Sequence, residues 1–288
     1  MTAQHDNYKS GLKPTWCDGC SYFTIMSALT GCFSDHNIDP CKINVISGIG
    51  CSSRLPFFLN TFGMHTLHGR PLPVAIGARL ANPGIPVIVT AGDGDLFSIG
   101  ANHFIHAAHK NFDITVICFN NRTYAMTKNQ ASPTSPAGFT GSLSPYGKPE
   151  AALNTIELAI SGGATMVSRT CAYDKSHMKK IVSDAFCHRG FSFVDVIAPC
   201  RTFGQRQKEI LTRLEDLQLK NHPMSNREKA LAEASKIYES DSNPKAPILV
   251  GTFWKKDALC FEEQIRQIRN NCKDSPKSMD EILDKYQV

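Results

Sequence analysis

Two sets of residues in this chain have the types and spacing to do chemistry. The first is Gly92-Asp93-Gly94-Asp95, which closes the apolar run at 86–91, together with Asn120-Asn121, which closes a second apolar run at 114–119. Carboxylate and amide oxygens are hard ligands that suit Mg2+, an ion that usually completes its octahedral shell with phosphate. Glycines 92 and 94 let the backbone approach a diphosphate, and a helix expected to begin near Ser98 would point its positive end at that charge. The second set is four cysteines: Cys17-Asp-Gly-Cys20, Cys51 in Gly50-Cys-Ser-Ser-Arg54, and Cys200 after Pro199. Four thiolates in loops satisfy tetrahedral zinc or an iron–sulfur cluster, and the Cys-x-x-Cys pair alone would satisfy a redox dithiol. Spacing does not choose among these.

Such residues need a scaffold that brings them together. Apolar runs at 43–46, 87–89, 114–119, 165–167 and 193–197 read as strands, and stretches at 97–110, 151–160 and 175–188 read as helices. That alternation predicts an α/β fold with a parallel sheet flanked by helices. In a parallel sheet the ends of neighbouring strands open on one edge, so Asp93 and Asn121 meet there. The region 122–150 is rich in Ser, Thr, Pro and Gly and is long for a connection, which marks it as functional. After Thr202 the composition turns to Lys, Glu, Gln and Arg. Residues 1–205 therefore read as one cofactor domain, and 206–288 as a mostly helical C-terminal extension with a strand at 248–251. That extension is either a solvated layer or an arm at a subunit interface.

Composition narrows the classes further. The chain has 288 residues, 31 Lys+Arg against 26 Asp+Glu, and 42% hydrophobic residues, enough for a large core and too weakly basic to argue for nucleic acid. No run approaches the roughly 18 apolar residues of a membrane span. The polar segment 1–14 lacks an apolar secretory core, which places the protein in a reducing cytoplasm. The odd total of 11 cysteines excludes a fully paired disulfide framework. Cys32, Cys41, Cys118, Cys171, Cys187, Cys260 and Cys272 read as small apolar filler. His103, His106 and His109 fall on one predicted helix, but i, i+3 steps drift around it, so they read as an interface face. No Gly-x-Gly-x-x-Gly fingerprint follows the first strands, which argues against a nicotinamide enzyme.

The Gly-Asp-Gly and Asn-Asn pair resembles the thiamine diphosphate signature of the transketolase and pyruvate dehydrogenase superfamily. Adding Cys17-Asp-Gly-Cys20, Gly48-Ile-Gly-Cys-Ser-Ser53, His68-Gly-Arg70 and Thr127-Lys-Asn-Gln-Ala-Ser-Pro133, the chain resembles the β subunits of the 2-oxoacid:ferredoxin oxidoreductases over roughly residues 13–205. That resemblance implies a thiamine diphosphate-binding fold, with Mg2+ held by Asp93, the Asn121 side chain and the Thr123 carbonyl. It also implies one [4Fe–4S] cluster on Cys17, Cys20, Cys51 and Cys200. Gly50, Ser52, His68, Gly92, Gly94 and Asp95 are expected around the cofactor. Two departures from the family stand out: Asp18 in the Cys-x-x-Cys loop adds negative charge that should lower the cluster potential, and Asn129 stands where glycine is usual. Neither removes a ligand.

The implied reaction is coenzyme A-dependent oxidative decarboxylation of a 2-oxoacid, with electrons passing through the cluster to ferredoxin. Arg54, two residues past Cys51-Ser, and Lys128, in the loop after the metal site, are candidates for the substrate carboxylate, because a guanidinium captures carboxylates bidentately. A second carboxylate on the substrate favours 2-oxoglutarate over pyruvate or branched-chain and aryl 2-oxoacids. No second α/β domain is present for the cofactor's pyrimidine, so an α subunit, or α plus γ, should complete the site in a dimer of heterodimers. The competing expectations are a thiamine diphosphate decarboxylase or carboligase stapled by zinc, and a zinc-bound scaffold without catalysis.

Overall fold

The computed structural model describes residues 7–204, 207–243, 245–271, 278–284 and 286. Its centre is an eight-stranded sheet in the order β2-β1-β3-β4-β6-β5-β8-β7. The strands are β1 (Asn44–Ser47), β2 (Phe62–His65), β3 (Val87–Gly92), β4 (Thr115–Asn120), β5 (Met166–Cys171), β6 (Ser192–Ile197), β7 (Leu214–Asp216) and β8 (Ile248–Lys255). From β2 to β5 every pairing is parallel. The central strands β4, β5 and β6 are buried at every position, as expected where helices cover both faces.

One face carries α1 (Tyr22–Asp35) and α6 (Lys175–Cys187); the other carries α2 (Pro71–Ala81), α4 (Ala101–His109), α5 (Thr155–Gly162) and α8 (Arg227–Ser235). Alternation along β3 serves both: Val87, Val89 and Ala91 join the core under α2 and α4, while Ile88 joins the core under α1. The short helices α3 (Asp93–Phe97), α7 (Gln207–Leu211), α9 (Ile237–Ser242) and α11 (Met279–Leu283), with α10 (Phe261–Asn271), complete the fold. Among the described residues no helix is long and apolar enough to cross a membrane.

The structure corrects the sequence reading in three places. The helix expected over 97–110 is two helices, and the first starts at Asp93 itself, directly after β3. Ser98 breaks the run with φ −96° and ψ −108°, and the freed carbonyl of Ile99 accepts from Arg70 Nη1 at 3.2 Å. The helix expected at 151–160 begins at Thr155, where the Asn154 side chain accepts from the Glu157 amide. The extension after residue 206 is helical but also supplies two strands: β8 runs antiparallel to β5, and β7 pairs beside it. Leu217, Ala230, Ala234, Leu249, Phe253 and Trp254 are part of the main core, so this segment is structural and not a solvated layer.

A buried ion network fastens the extension to the amino-terminal edge of the sheet. Arg79 of α2 is 4% exposed; its Nη2 lies 2.5 Å from Asp113 Oδ2 and its Nε lies 3.2 Å from Glu262 Oε1 of α10. Arg189 joins Asp113 at 2.8 Å and Glu263 at 2.9 Å. Arg79→Met is expected to lower the unfolding free energy by about 3–5 kcal/mol, because Glu262 is then buried without its cation. Urea unfolding with a midpoint shifted down at an unchanged slope would match; an unchanged midpoint would contradict it.

Candidate active site

The strands β1, β3, β4 and β6 are consecutive neighbours in the sheet and run the same way, so the loops beyond their ends share one edge. Those loops carry Gly48–Cys51, Asp93, Asn121 and Cys200 in turn. From β1 the chain leaves to β2 on one side and returns to β3 on the other, which opens a crevice beyond β1 and β3 where such sheets bind ligands. A cleft of about 360 Å³ lies there.

Of the residues expected around a diphosphate, Gly50, Ser52, His68, Gly92, Asp93, Gly94, Asp95 and Asn121 all line this cleft, and so does Thr123. Asp93 is 1% exposed, and its Oδ2 accepts from Ser132 Oγ at 2.5 Å and Thr134 Oγ1 at 2.6 Å. Burial pushes the Asp93 carboxyl above the usual carboxylate range, while those two hydroxyls pull it back. Thr134 Oγ1 also lies 3.0 Å from Asn120 Oδ1, and Asn120 Nδ2 donates to Asp195 Oδ1 at 2.9 Å. Asn121 Oδ1 accepts from the Thr123 amide at 3.1 Å, a turn that holds both residues against the cleft. Asp93, Asn121 and Thr123 thus share the lining of one cleft, and their oxygens are of the hard kind that suits Mg2+ beside a diphosphate.

Tyr124 is a site residue that sequence spacing does not reveal. Its hydroxyl donates to the Gly94 carbonyl at 3.2 Å, and a Cβ at position 94 would collide with its ring. The smallness of Gly94 therefore serves Tyr124 as much as any ligand. Ser132 lies within the motif Thr127–Pro133, but its role and that of Thr134 were hidden, since they reach Asp93 from 39 and 41 residues away.

A second cleft of about 190 Å³ is lined by all four proposed cluster cysteines: Cys17, Cys20, Cys51 and Cys200. Trp16 frames it. Its indole Nε1 donates to the Cys51 carbonyl at 2.7 Å, and its ring meets those of Tyr22, Phe23 and Phe58 edge-on. Burial pushes the Cys20 thiol up to about 11 and raises Cys51, and the other thiols of the set add to both shifts. Thiols that disfavour one another's ionisation are suited to a cationic guest. The two clefts share Tyr22, Cys51, Asn121, Ala125 and Met126.

The remaining expectations divide. Arg54 lines the thiol cleft and not the larger one, and its Nη1 donates to Thr15 Oγ1 at 2.6 Å. Lys128 is exposed at φ +70°, on the loop between Asn121 and Ser132, and lines neither cleft. Among the other cysteines, Cys32, Cys118, Cys171 and Cys260 are buried; Cys41 and Cys187 are exposed, so the filler reading does not describe those two. Cys272 lies outside the described residues. Among the described residues no three His, Cys, Asp or Glu side chains converge on a single ion, the α4 histidines included.

This fold and cleft define a thiamine diphosphate-binding domain, and residues 48–196 match the family "Thiamine pyrophosphate enzyme, C-terminal TPP binding domain". The 2-oxoacid:ferredoxin oxidoreductase 1 subunit beta of Aeropyrum pernix is 38% identical over 91% of this chain and 84% of its own length. The 2-oxoglutarate synthase subunit KorB of Methanothermobacter marburgensis is 39% identical over 75% of this chain and 76% of its own. A solved 2-oxoglutarate:ferredoxin oxidoreductase from Magnetococcus marinus, with 2-oxoglutarate, coenzyme A and succinyl-CoA bound, superposes with a TM-score of 0.90 at 32% identity, covering 99% of this chain and 96% of that one. The chain belongs to the β subunits of the 2-oxoacid:ferredoxin oxidoreductases.

Proposed function

We propose that this subunit holds thiamine diphosphate, Mg2+ and one [4Fe–4S] cluster, and that with its partner it oxidatively decarboxylates 2-oxoglutarate to an acyl-CoA with ferredoxin as acceptor. The observation that carries this reading is the contiguity of the two clefts: a four-thiol cleft shares a wall with the cofactor cleft, as electron transfer between them requires. Bound thiamine diphosphate supplies the carbanion chemistry that a decarboxylation needs. The chain's own residues position it. Asp93, Asn121 and the Thr123 carbonyl hold the metal; Gly50, Ser52, His68 and Gly92 border the diphosphate; Cys17, Cys20, Cys51 and Cys200 hold the cluster.

The choice of 2-oxoglutarate is supported by the named relatives and by Arg54, an exposed guanidinium at the thiol side of the shared wall, with Lys128 on the neighbouring loop as a second cation. A partner subunit is supported by apolar side chains left open around the cleft: Ile49, Leu67, Ile99 and Met126 are 40%, 75%, 53% and 46% exposed. A dimer of heterodimers, with α or α plus γ partners, is the arrangement that fits. Every cysteine among the described residues is a free thiol, which suits the reducing cytoplasm proposed as its location.

The test is an anaerobically purified complex assayed for coenzyme A-dependent ferredoxin reduction with 2-oxoglutarate and pyruvate side by side. Preference for 2-oxoglutarate is expected, and Arg54→Leu is expected to weaken its use more than that of pyruvate. Equal losses would remove Arg54 from substrate recognition, and no activity with either substrate would overturn the reading.

A further inference from the structure

Asp95 was expected around the cofactor and lines the cleft, but its Oδ1 is taken up by protein donors. It is 2% exposed, and three groups converge on Oδ1: His68 Nδ1 at 2.8 Å, the Gly69 amide at 2.7 Å and the Ile49 amide at 3.3 Å. Oδ2 is buried without a hydrogen-bond partner and lies against Gly48, where a Cβ would collide with it. One side chain on α3 thus ties down the loop after β1 and the loop after β2. Both loops carry cleft-lining residues: Ile49, Gly50, Cys51 and Ser52 on the first, His68 on the second.

A carboxylate on Nδ1 fixes the histidine's tautomer, because the carboxylate accepts and Nδ1 must donate. The opposite ring nitrogen, Nε2, then points away from Asp95. His68 is 40% exposed on its side chain and lines the cleft, with its ring centroid 6.2 Å from that of Tyr124. We propose that Asp95 is a positioning residue that locks these two loops to α3 and aims His68 Nε2 at the bound diphosphate. This rests on the reading that thiamine diphosphate occupies the larger cleft. His68 touches the cofactor; Asp95 acts through it and through the pinned backbone.

The experiment is calorimetric titration of thiamine diphosphate and Mg2+ into the cofactor-stripped complex of this chain with its partner subunit. Asp95→Ala is expected to weaken cofactor affinity by about 100-fold, and His68→Asn by about 10-fold, the losses typical of charge-assisted hydrogen bonds. Asparagine keeps a donor toward Asp95 but has no distal nitrogen, so it isolates the aimed atom. If Asp95 works partly through His68, the double variant loses no more than Asp95→Ala alone, as a coupled pair requires. Additive losses, or native affinity in His68→Asn, would overturn the proposal, and the second outcome decides the matter even if Asp95→Ala does not fold. Asp93→Ala separates the two levels: if it too binds normally, the cleft assignment has failed, whereas its loss alone leaves the cleft intact and sinks only the role of Asp95.

Discussion

Cys51→Ser is expected to yield a complex that still binds thiamine diphosphate but lacks the iron–sulfur chromophore and reduces no ferredoxin. Cys51 opens the turn of 3-10 helix over Ser52–Phe58, and its carbonyl is pinned by Trp16. Its thiol is half-buried and raised by burial and by Cys200 and Cys17. All four thiols line one cleft, so they are coupled through the guest they would bind. A serine oxygen is a harder, poorer ligand for iron, and the other three cannot close the set. Iron content, visible absorption and cofactor affinity should therefore separate: the first two fall to background while the third holds. If iron survives in Cys51→Ser and equally in Cys200→Ser, the cluster assignment is wrong.

Asp93→Asn should move stability and function in opposite directions. The amide keeps an acceptor for the hydroxyls of Ser132 and Thr134, so the local network survives. It removes a carboxylate that burial penalises, so the cofactor-free chain should melt no lower than the native one. What disappears is the charge for the metal. Groups behind metal ligands already cost about 10–100-fold when replaced, so a ligand itself should cost at least ~100-fold in kcat/KM. The stabilisation that added thiamine diphosphate and Mg2+ give the native protein should vanish as well. Because only the ionised carboxyl ligates and its pKa is raised, native cofactor binding should tighten as pH rises through that value. The D93N chain should lose this dependence. A normal thermal shift on adding cofactor to D93N would remove Asp93 from the metal site.

The parallel core was legible because β3, β4 and β6 are nearly continuous apolar runs that only a two-sided burial explains. The edges were not. β2 is only four residues, Phe-Gly-Met-His, and is exposed at all four positions, so its short Phe62/Met64 alternation has no buried face to mark it. β7 is three half-buried residues, Leu214–Asp216, in a polar stretch, and it exists because β8 is beside it. The site shows the same division. Gly92–Asp95, Asn121 and the four cysteines could be found because local spacing and residue type betray them. The roles of Tyr124, Ser132 and Thr134 could not, since they arise when a long loop folds back onto Gly94 and Asp93. Asp95 was expected around the cofactor and does line the cleft; what the sequence did not show is that its Oδ1 also takes the Ile49 and Gly69 amides and His68, so that it clamps two loops.

The position of β8 also governs how the chain must be made. β5 is buried at every residue, yet its partner on one side is a strand some eighty residues later. During synthesis, everything through β6 is available before β8 emerges, and for that interval β5 offers an unpaired strand edge of the kind that joins other chains. The late strand, stapled by Glu262 to Arg79, is in effect the closing step that makes the nascent sheet safe from aggregation.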